Sequence, residues 1–217
     1  MGILEEIQQA GARAAAEAVR IWQLDVVDVK CHAEGDDAER CRAIIDRMIH
    51  ETGLAWSWLN PYRGDGDFAW CGAFAAHCWG VAGLQEAIRK EYFASTRRLA
   101  KYCRQAQEGS GGLDGSRRYL RLPCEVTALR DFAPQPGDIL LIGQEEPGHH
   151  IGIVGAVDVD AGTVTTLEGN GLGEGPSGHR REGVVKAHRS LLDGQARRLI
   201  RPGREDLVLE AAPPPTL

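Results

Sequence analysis

A thiol, an imidazole, a carboxylate and a carboxamide stand in this chain where they could act together: Cys71, His150, Glu168 and Asn170. Cys71 lies in Trp70-Cys71-Gly72-Ala73-Phe74, after the turn-rich Tyr62-Arg63-Gly64-Asp65-Gly66-Asp67 and at the head of an apolar run that reaches Leu84. The run reads as a buried helix. A cysteine at a helix N-terminus meets unpaired N–H groups and the positive end of the helix dipole. Both favour the thiolate, which is the nucleophilic form. Such a nucleophile needs an imidazole to take its proton and a third polar group to orient that imidazole.

His149-His150 supplies imidazoles at the head of an Ile- and Val-rich run, 150–159. Strand alternation puts His150, Gly152 and Val154 on one face, with Ile151 and Ile153 on the other. His150 is therefore read as the base, and Gly152 as the place where a helix can come close. His149 points away or lies in the preceding turn. The next run ends Thr166-Leu167-Glu168-Gly169-Asn170. A hairpin centred on Ala161 would set Asn170 opposite Gly152 and Glu168 opposite Val154, which brings Asn170 closer to His150. A bulge or a register slip would reverse that order, so register alone leaves both residues open as the orienting group.

These groups need elements to hold them. Ile3, Leu4, Ile7, Ala10, Ala14, Ala18 and Ile21 recur at helical spacing and predict a first helix over 3–22. Asp36-Asp37 opens a second, over 38–51, with Gly53 placed to end it. The aromatic-rich loop 54–69 comes next, then the helix over 71–84. Residues 86–107 read as helical with a break at Ser95-Thr96, and 109–116 as a flexible loop. Pro136-Gly137-Asp138 is then a turn into the buried strand Ile139-Leu140-Leu141-Ile142. Strands are expected over 150–159 and 163–168, with further ones over 183–189 and 197–201. Gly169 to Gly178 reads as a glycine-rich rim. It lacks the Lys-Ser/Thr ending that a phosphate loop requires. Helices first and strands second make an α+β chain, with an N-terminal helical extension over 1–53, a catalytic domain over 54–204 and a C-terminal tail over 205–217.

Composition limits the partners. The 217 residues carry 31 acidic and 25 basic side chains, a net charge of −6, which argues against nucleic acid because phosphate binding needs a basic footprint. No apolar run approaches the roughly 18 residues of a membrane span. The N-terminus has neither the basic nor the apolar segment of a cleavable signal peptide. The expectation is a protein that is cytoplasmic in its producer and reaches the periplasm or cell wall by a specialised secretion system or by lysis. Cys31, Cys41, Cys71, Cys78, Cys103 and Cys124 are then expected reduced. Cys31, His32 and Cys41 lack a fourth ligand nearby, so no zinc is expected. His77 is six residues beyond Cys71 and, like Cys78, is read as structural.

Taken in order, Trp70-Cys71-Gly72-Ala73-Phe74, Pro136-Gly137-Asp138-Ile139, His150-Ile151-Gly152-Ile153-Val154 and Glu168-Gly169-Asn170 resemble the CHAP family of cysteine amidohydrolases and peptidases, in the NlpC/P60-like, papain-like group. The likeness spans about residues 54–172 and includes Ala94-Ser95-Thr96-Arg97-Arg98-Leu99. It implies a papain-like fold, with the cysteine at a helix start packed on an antiparallel β-sheet. It implies Cys71 as nucleophile, His150 as base, Glu168 as the residue that orients His150, and Asn170 as a fourth, assisting residue. Peptidoglycan is the implied substrate, cut at an N-acetylmuramoyl-L-alanine bond or within its peptides. With no signal peptide in the sequence, the expectation is a lysin of phage type or an antibacterial effector with an immunity or delivery protein as partner. Trp70 and Tyr62 are the candidate substrate contacts, although the plainer role of Trp56, Trp58 and Tyr62 is to pack their loop. No cofactor is expected. Some members bind calcium, but Asp65 and Asp67 are not matched by an acidic residue at Ala73 or Phe74. The rival readings are a papain-like protease or deamidase acting on protein, and a binding module without catalysis.

Overall fold

Residues 2–27, 36–51, 70–93, 95–108, 116–143 and 149–208 are described by the structure, a computed structural model. Among the described residues five helices come first: α1 (Ile3–Gln23), α2 (Asp36–Glu51), α3 (Cys71–Val81), α4 (Glu86–Tyr92) and α5 (Thr96–Arg104). The second half holds β1 (Gln107–Glu108), β2 (Arg118–Arg121), α6 (Val126–Phe132), β3 (Ile139–Ile142), β4 (His150–Asp158), β5 (Thr163–Glu174), β6 (Arg180–Ser190) and β7 (Ala196–Arg201). The helix-then-sheet order matches the α+β expectation. The sheet order is β1-β2-β7-β3-β4-β5-β6, antiparallel except for the short β1–β2 pair.

Alternation assigns each face of this sheet to its own core. Ile139, Leu141, Ile151, Ile153, Leu167 and Ile200 pack with α1, α2 and α3. Leu140, Ile142, Val154, Val164 and Leu199 pack on the other face with Leu129 and Phe132 of α6. Burial on both faces is why β3 is apolar throughout. Helix α3 is enclosed on all sides, with every residue from Cys71 to Trp79 buried. Ala10, Ala14 and Ala18 of α1 are fully buried in the same core, and such small residues let helix axes approach closely. The apolar stripe of α1 starts at Ile7, because Ile3 and Leu4 are exposed.

The Pro136-Gly137-Asp138 turn ties these layers together. Gly137 has φ 92°, and a Cβ there would lie 2.2 Å from the Gly11 carbonyl oxygen of α1, so only glycine lets α1 cross the turn this closely. The Gly137 carbonyl accepts from Trp79 Nε1 of α3 at 3.0 Å. Asp138 takes both arms of Arg201, at 2.8 Å each.

Several expected boundaries move. The break near Ser95 is a helix start, where Ser95 Oγ accepts from Arg97 N–H at 3.2 Å. The Gly169–Gly178 rim is largely strand, since β5 runs on to Glu174 and pairs with Arg180–Gly183. Residues 205–208, expected in the tail, are anchored: the buried Asp206 carboxylate takes the Tyr102 hydroxyl at 2.6 Å and the Arg117 guanidinium. Strand β2 and helix α6 lie in a stretch that carried no expectation.

Candidate active site

Cys71 is the first residue of α3. The helical ladder starts with Phe74 N–H donating to the Trp70 carbonyl at 3.0 Å, so the N–H groups of Cys71, Gly72 and Ala73 lie ahead of it. The residue is 5 % exposed, and all five described cysteines, Cys41, Cys71, Cys78, Cys103 and Cys124, are free thiols. The first turn of α3 is pressed onto β5 at Gly169, where a Cβ would lie 2.4 Å from Phe74 Cβ and 2.7 Å from Trp70 Cζ3. Gly169, not Gly152, is thus the glycine that admits the helix. Its side faces α3 with Leu167, whereas Gly152 faces the other core. Gly152 clears space for side chains of its own sheet face: a Cβ there would lie 3.1 Å from Glu168 Cγ and 3.2 Å from Thr166 Cβ.

His150 opens β4, and its Nε2 is 3.0 Å from Glu168 Oε2. Burial works against its protonation, but hydrogen bonding to Cys71 and to Glu168, and their charges, outweigh it and lift the imidazole from 6.5 to about 10. With Nε2 engaged by Glu168, Nδ1 is the ring nitrogen left for Cys71. His149 lies in the turn, its N–H donating to the Ile142 carbonyl at 2.9 Å, and its side chain is exposed.

The expected hairpin register does not hold. Near the turn Val157 pairs with Val164, and beyond a shift between Val154 and Ala156 the pairs are Val154 with Thr166 and Ile153 with Leu167. The turn is centred between Asp160 and Ala161, which moves the register by one position, and the irregularity at Gly155 moves it by one more, so Glu168 instead of Asn170 meets the Gly152–His150 end. Asn170 adopts φ 55°, at a second irregularity of β5 between Glu168 and Gly171, and makes no hydrogen bond to His150.

Glu168 is 0 % exposed, yet each carboxylate oxygen has two partners. Oε1 accepts from Thr166 Oγ1 at 2.5 Å and Arg189 Nε at 2.8 Å, and Oε2 faces His150 Nε2 and accepts from Arg189 Nη2 at 2.6 Å. Burial would raise this carboxyl, but His150 and Arg189 override it and hold it at about 2. Neither Arg189 nor Thr166 was singled out in the sequence. Parity along the strand was the available signal, because Arg189, Ala187 and Val185 of β6 pair with Val164, Thr166 and Glu168 of β5 and so share a face.

Trp70 is buried against Gly169. Tyr62, Trp56, Trp58, Asp65 and Asp67 lie outside the described residues. Among the described residues no cluster of His, Cys, Asp and Glu could hold a metal ion, and no helix is long and apolar enough to cross a membrane. The arrangement can perform acyl transfer: a nucleophile at a helix start, an imidazole beside it, and an ionised carboxylate on the far ring nitrogen.

A family model, that of the CHAP domain, matches residues 62–170. The match takes in Cys71, His150, Glu168 and Asn170. Comparison with curated proteins and with solved structures gave no match.

Proposed function

As the chain belongs to the CHAP family, we propose that it is a peptidoglycan hydrolase that cleaves an amide bond through a thioester on Cys71. The observation that carries this reading is the chain of contacts from Glu168 through His150 to Cys71 at the start of α3. An imidazole raised to about 10 keeps its proton at neutral pH, and the attacking form of Cys71 in this reading is the thiolate, the nucleophilic form of a cysteine. The thiolate attacks the amide carbonyl and forms the C–S bond. His150 gives its proton to the departing amine as the C–N bond breaks. Neutral His150 then takes a proton from water, which attacks the thioester and restores thiolate and imidazolium. Glu168 keeps the ring oriented throughout. The Cys71 N–H, ahead of the helical ladder, is suited to receive the developing oxyanion.

The bond cut is an N-acetylmuramoyl-L-alanine linkage or one within the peptides. The enzyme acts on the wall as an antibacterial effector or as a lysin of phage type. Digestion of purified sacculi followed by mass spectrometry of the released muropeptides tests the proposal, because the new termini name the bond. Release by the native chain and none by Cys71→Ala is the expected outcome. Sacculi left intact by a native chain that cleaves or deamidates a protein would replace it with the papain-like reading.

A further inference from the structure

We propose that Arg189 is a positioning residue for the site: its guanidinium fixes the plane and the charge of the Glu168 carboxylate, and through Glu168 the ring of His150. The inference rests on the reading of Cys71, His150 and Glu168 as a catalytic relay.

The terminal torsion of a glutamate is broad and two-fold, so backbone and rotamer leave the carboxylate plane loosely set. A bidentate guanidinium removes that freedom, since two parallel N–H···O bonds must be satisfied at once. Here the fork spans both oxygens, at 2.8 and 2.6 Å, and leaves Oε2 in reach of His150 Nε2. Thr166 fills the remaining position on Oε1. The sheet register allows this reach. Arg189 pairs with Val164 and Glu168 with Val185, and between them lies the pair Thr166–Ala187. Their short side chains leave a lane along the sheet face for the arginine.

Charge supplies the second part. A carboxylate at 0 % exposure with no cation beside it would take up a proton. His150 cannot serve as the permanent counter-charge, because in the proposed reaction it gives its proton away. Arg189 keeps its charge at every step. Glu168 therefore stays ionised while His150 is neutral, and is ready to hold the imidazolium again.

The test reads the site without a substrate: the pH dependence of Cys71 alkylation by iodoacetamide, followed by mass spectrometry of the Cys71 peptide. Arg189→Met keeps the length and loses both fork and charge. Its acid limb should move up by about one to two pH units, as Glu168 regains an ordinary or raised carboxyl. Millimolar methylguanidinium should restore the limb in Arg189→Ala. Arg189→Lys keeps the charge and loses the fork, so its limb should stay near the native position while the plateau rate falls several-fold. An Arg189→Met chain with native thermal stability and a native pH profile would overturn the proposal. Should the methionine and alanine variants not fold, an Arg189→Lys chain with native rate and profile overturns it. Because alkylation needs no cell wall, intact sacculi would count against the peptidoglycan reading alone.

Discussion

Two histidines in this molecule sit in nearly the same wiring and are suited to different work. In the helical layer Arg20 grips Glu17, at 2.7 and 2.6 Å, and Glu17 Oε1 lies 2.9 Å from His77 Nε2. At the sheet Arg189 grips Glu168, and Glu168 meets His150 Nε2. The two chains of contacts differ beyond the imidazole. His77 Nδ1 meets a second carboxylate, Glu51 Oε2, at 2.7 Å, and Glu51 is itself paired with Arg47. His150 has Cys71 instead. The side chain of His77 is 2 % exposed and that of His150 16 %. An arginine–glutamate–histidine chain thus seats an imidazole at two places in this molecule. Ended by a second carboxylate around an imidazole 2 % exposed, it clasps α1, α2 and α3 together and leaves no ring nitrogen to exchange a proton with a ligand. Ended by a thiol beside an imidazole 16 % exposed, it suits the nucleophile of the proposed reaction.

The contrast breaks if the histidines can be exchanged in effect. His150→Ala should lower turnover by roughly 10²–10⁴-fold, the usual share of a general acid–base, with the fold retained. Muropeptide release and thermal unfolding on one preparation read both quantities. Native turnover in His150→Ala would remove the imidazole from the reaction and make both chains structural.

The helix start at Cys71 and the hairpin strands were legible because each is a local pattern: a polar loop before an apolar run, and alternation around Asp160-Ala161-Gly162. The partner of His150 was not. A shift at Gly155 moves every residue beyond it by one position, and no residue type there demands a bulge. Arg189 was hidden for a related reason, since its role needs the β5–β6 register and a reach past an intervening pair. The clasp on His77 joins residues 26 and 60 positions away, on helices whose apolar spacing does not say which polar residues meet. Gly169 reads as part of a glycine-rich rim, because glycine-rich sequence favours loops until a helix pressing on it supplies the packing.

The clasp makes the next largest effect. His77→Leu leaves Glu17 and Glu51 without their shared partner. Removing one member of a buried pair costs about 3 kcal/mol at the lower end, the end that suits Glu51, whose side chain is 24 % exposed. For a chain of this size that is a fall in Tm of roughly 6–12 °C, with turnover of the folded fraction unchanged. The pH dependence separates the two chains. Glu17 and Glu168 are both held at about 2 against an ordinary 4.5. Each contributes stability that is fully present above 4.5 and lost as pH falls through about 2. His150, raised from 6.5 to about 10, contributes stability present below 6.5 and lost as pH rises through about 10. Denaturation midpoints across pH should therefore lose part of the acid arm in Glu17→Gln and keep the alkaline arm. In His150→Ala the alkaline arm should flatten. An unchanged acid arm in Glu17→Gln would show that the clasp stores no charge-dependent stability.

The smallest effect separates Glu168 from Asn170. Asn170 stands at φ 55°, a conformation that asparagine tolerates better than alanine does. Asn170→Ala therefore mixes the loss of a carboxamide with backbone strain at an irregular point of β5. Asn170→Gly removes the side chain and keeps the conformation free of strain. If the register of β4 and β5 hands His150 to Glu168, Asn170→Gly should keep turnover within about tenfold of native, well inside the range of a lost acid–base partner. Asn170→Ala should do worse than Asn170→Gly, by a margin that tracks its loss of stability. A hundredfold loss in Asn170→Gly, with the native fold and an unaltered pH profile for Cys71 alkylation, would place the carboxamide in the reaction itself. The chain that seats His150 would then include a fourth group, one for which His77 has no counterpart.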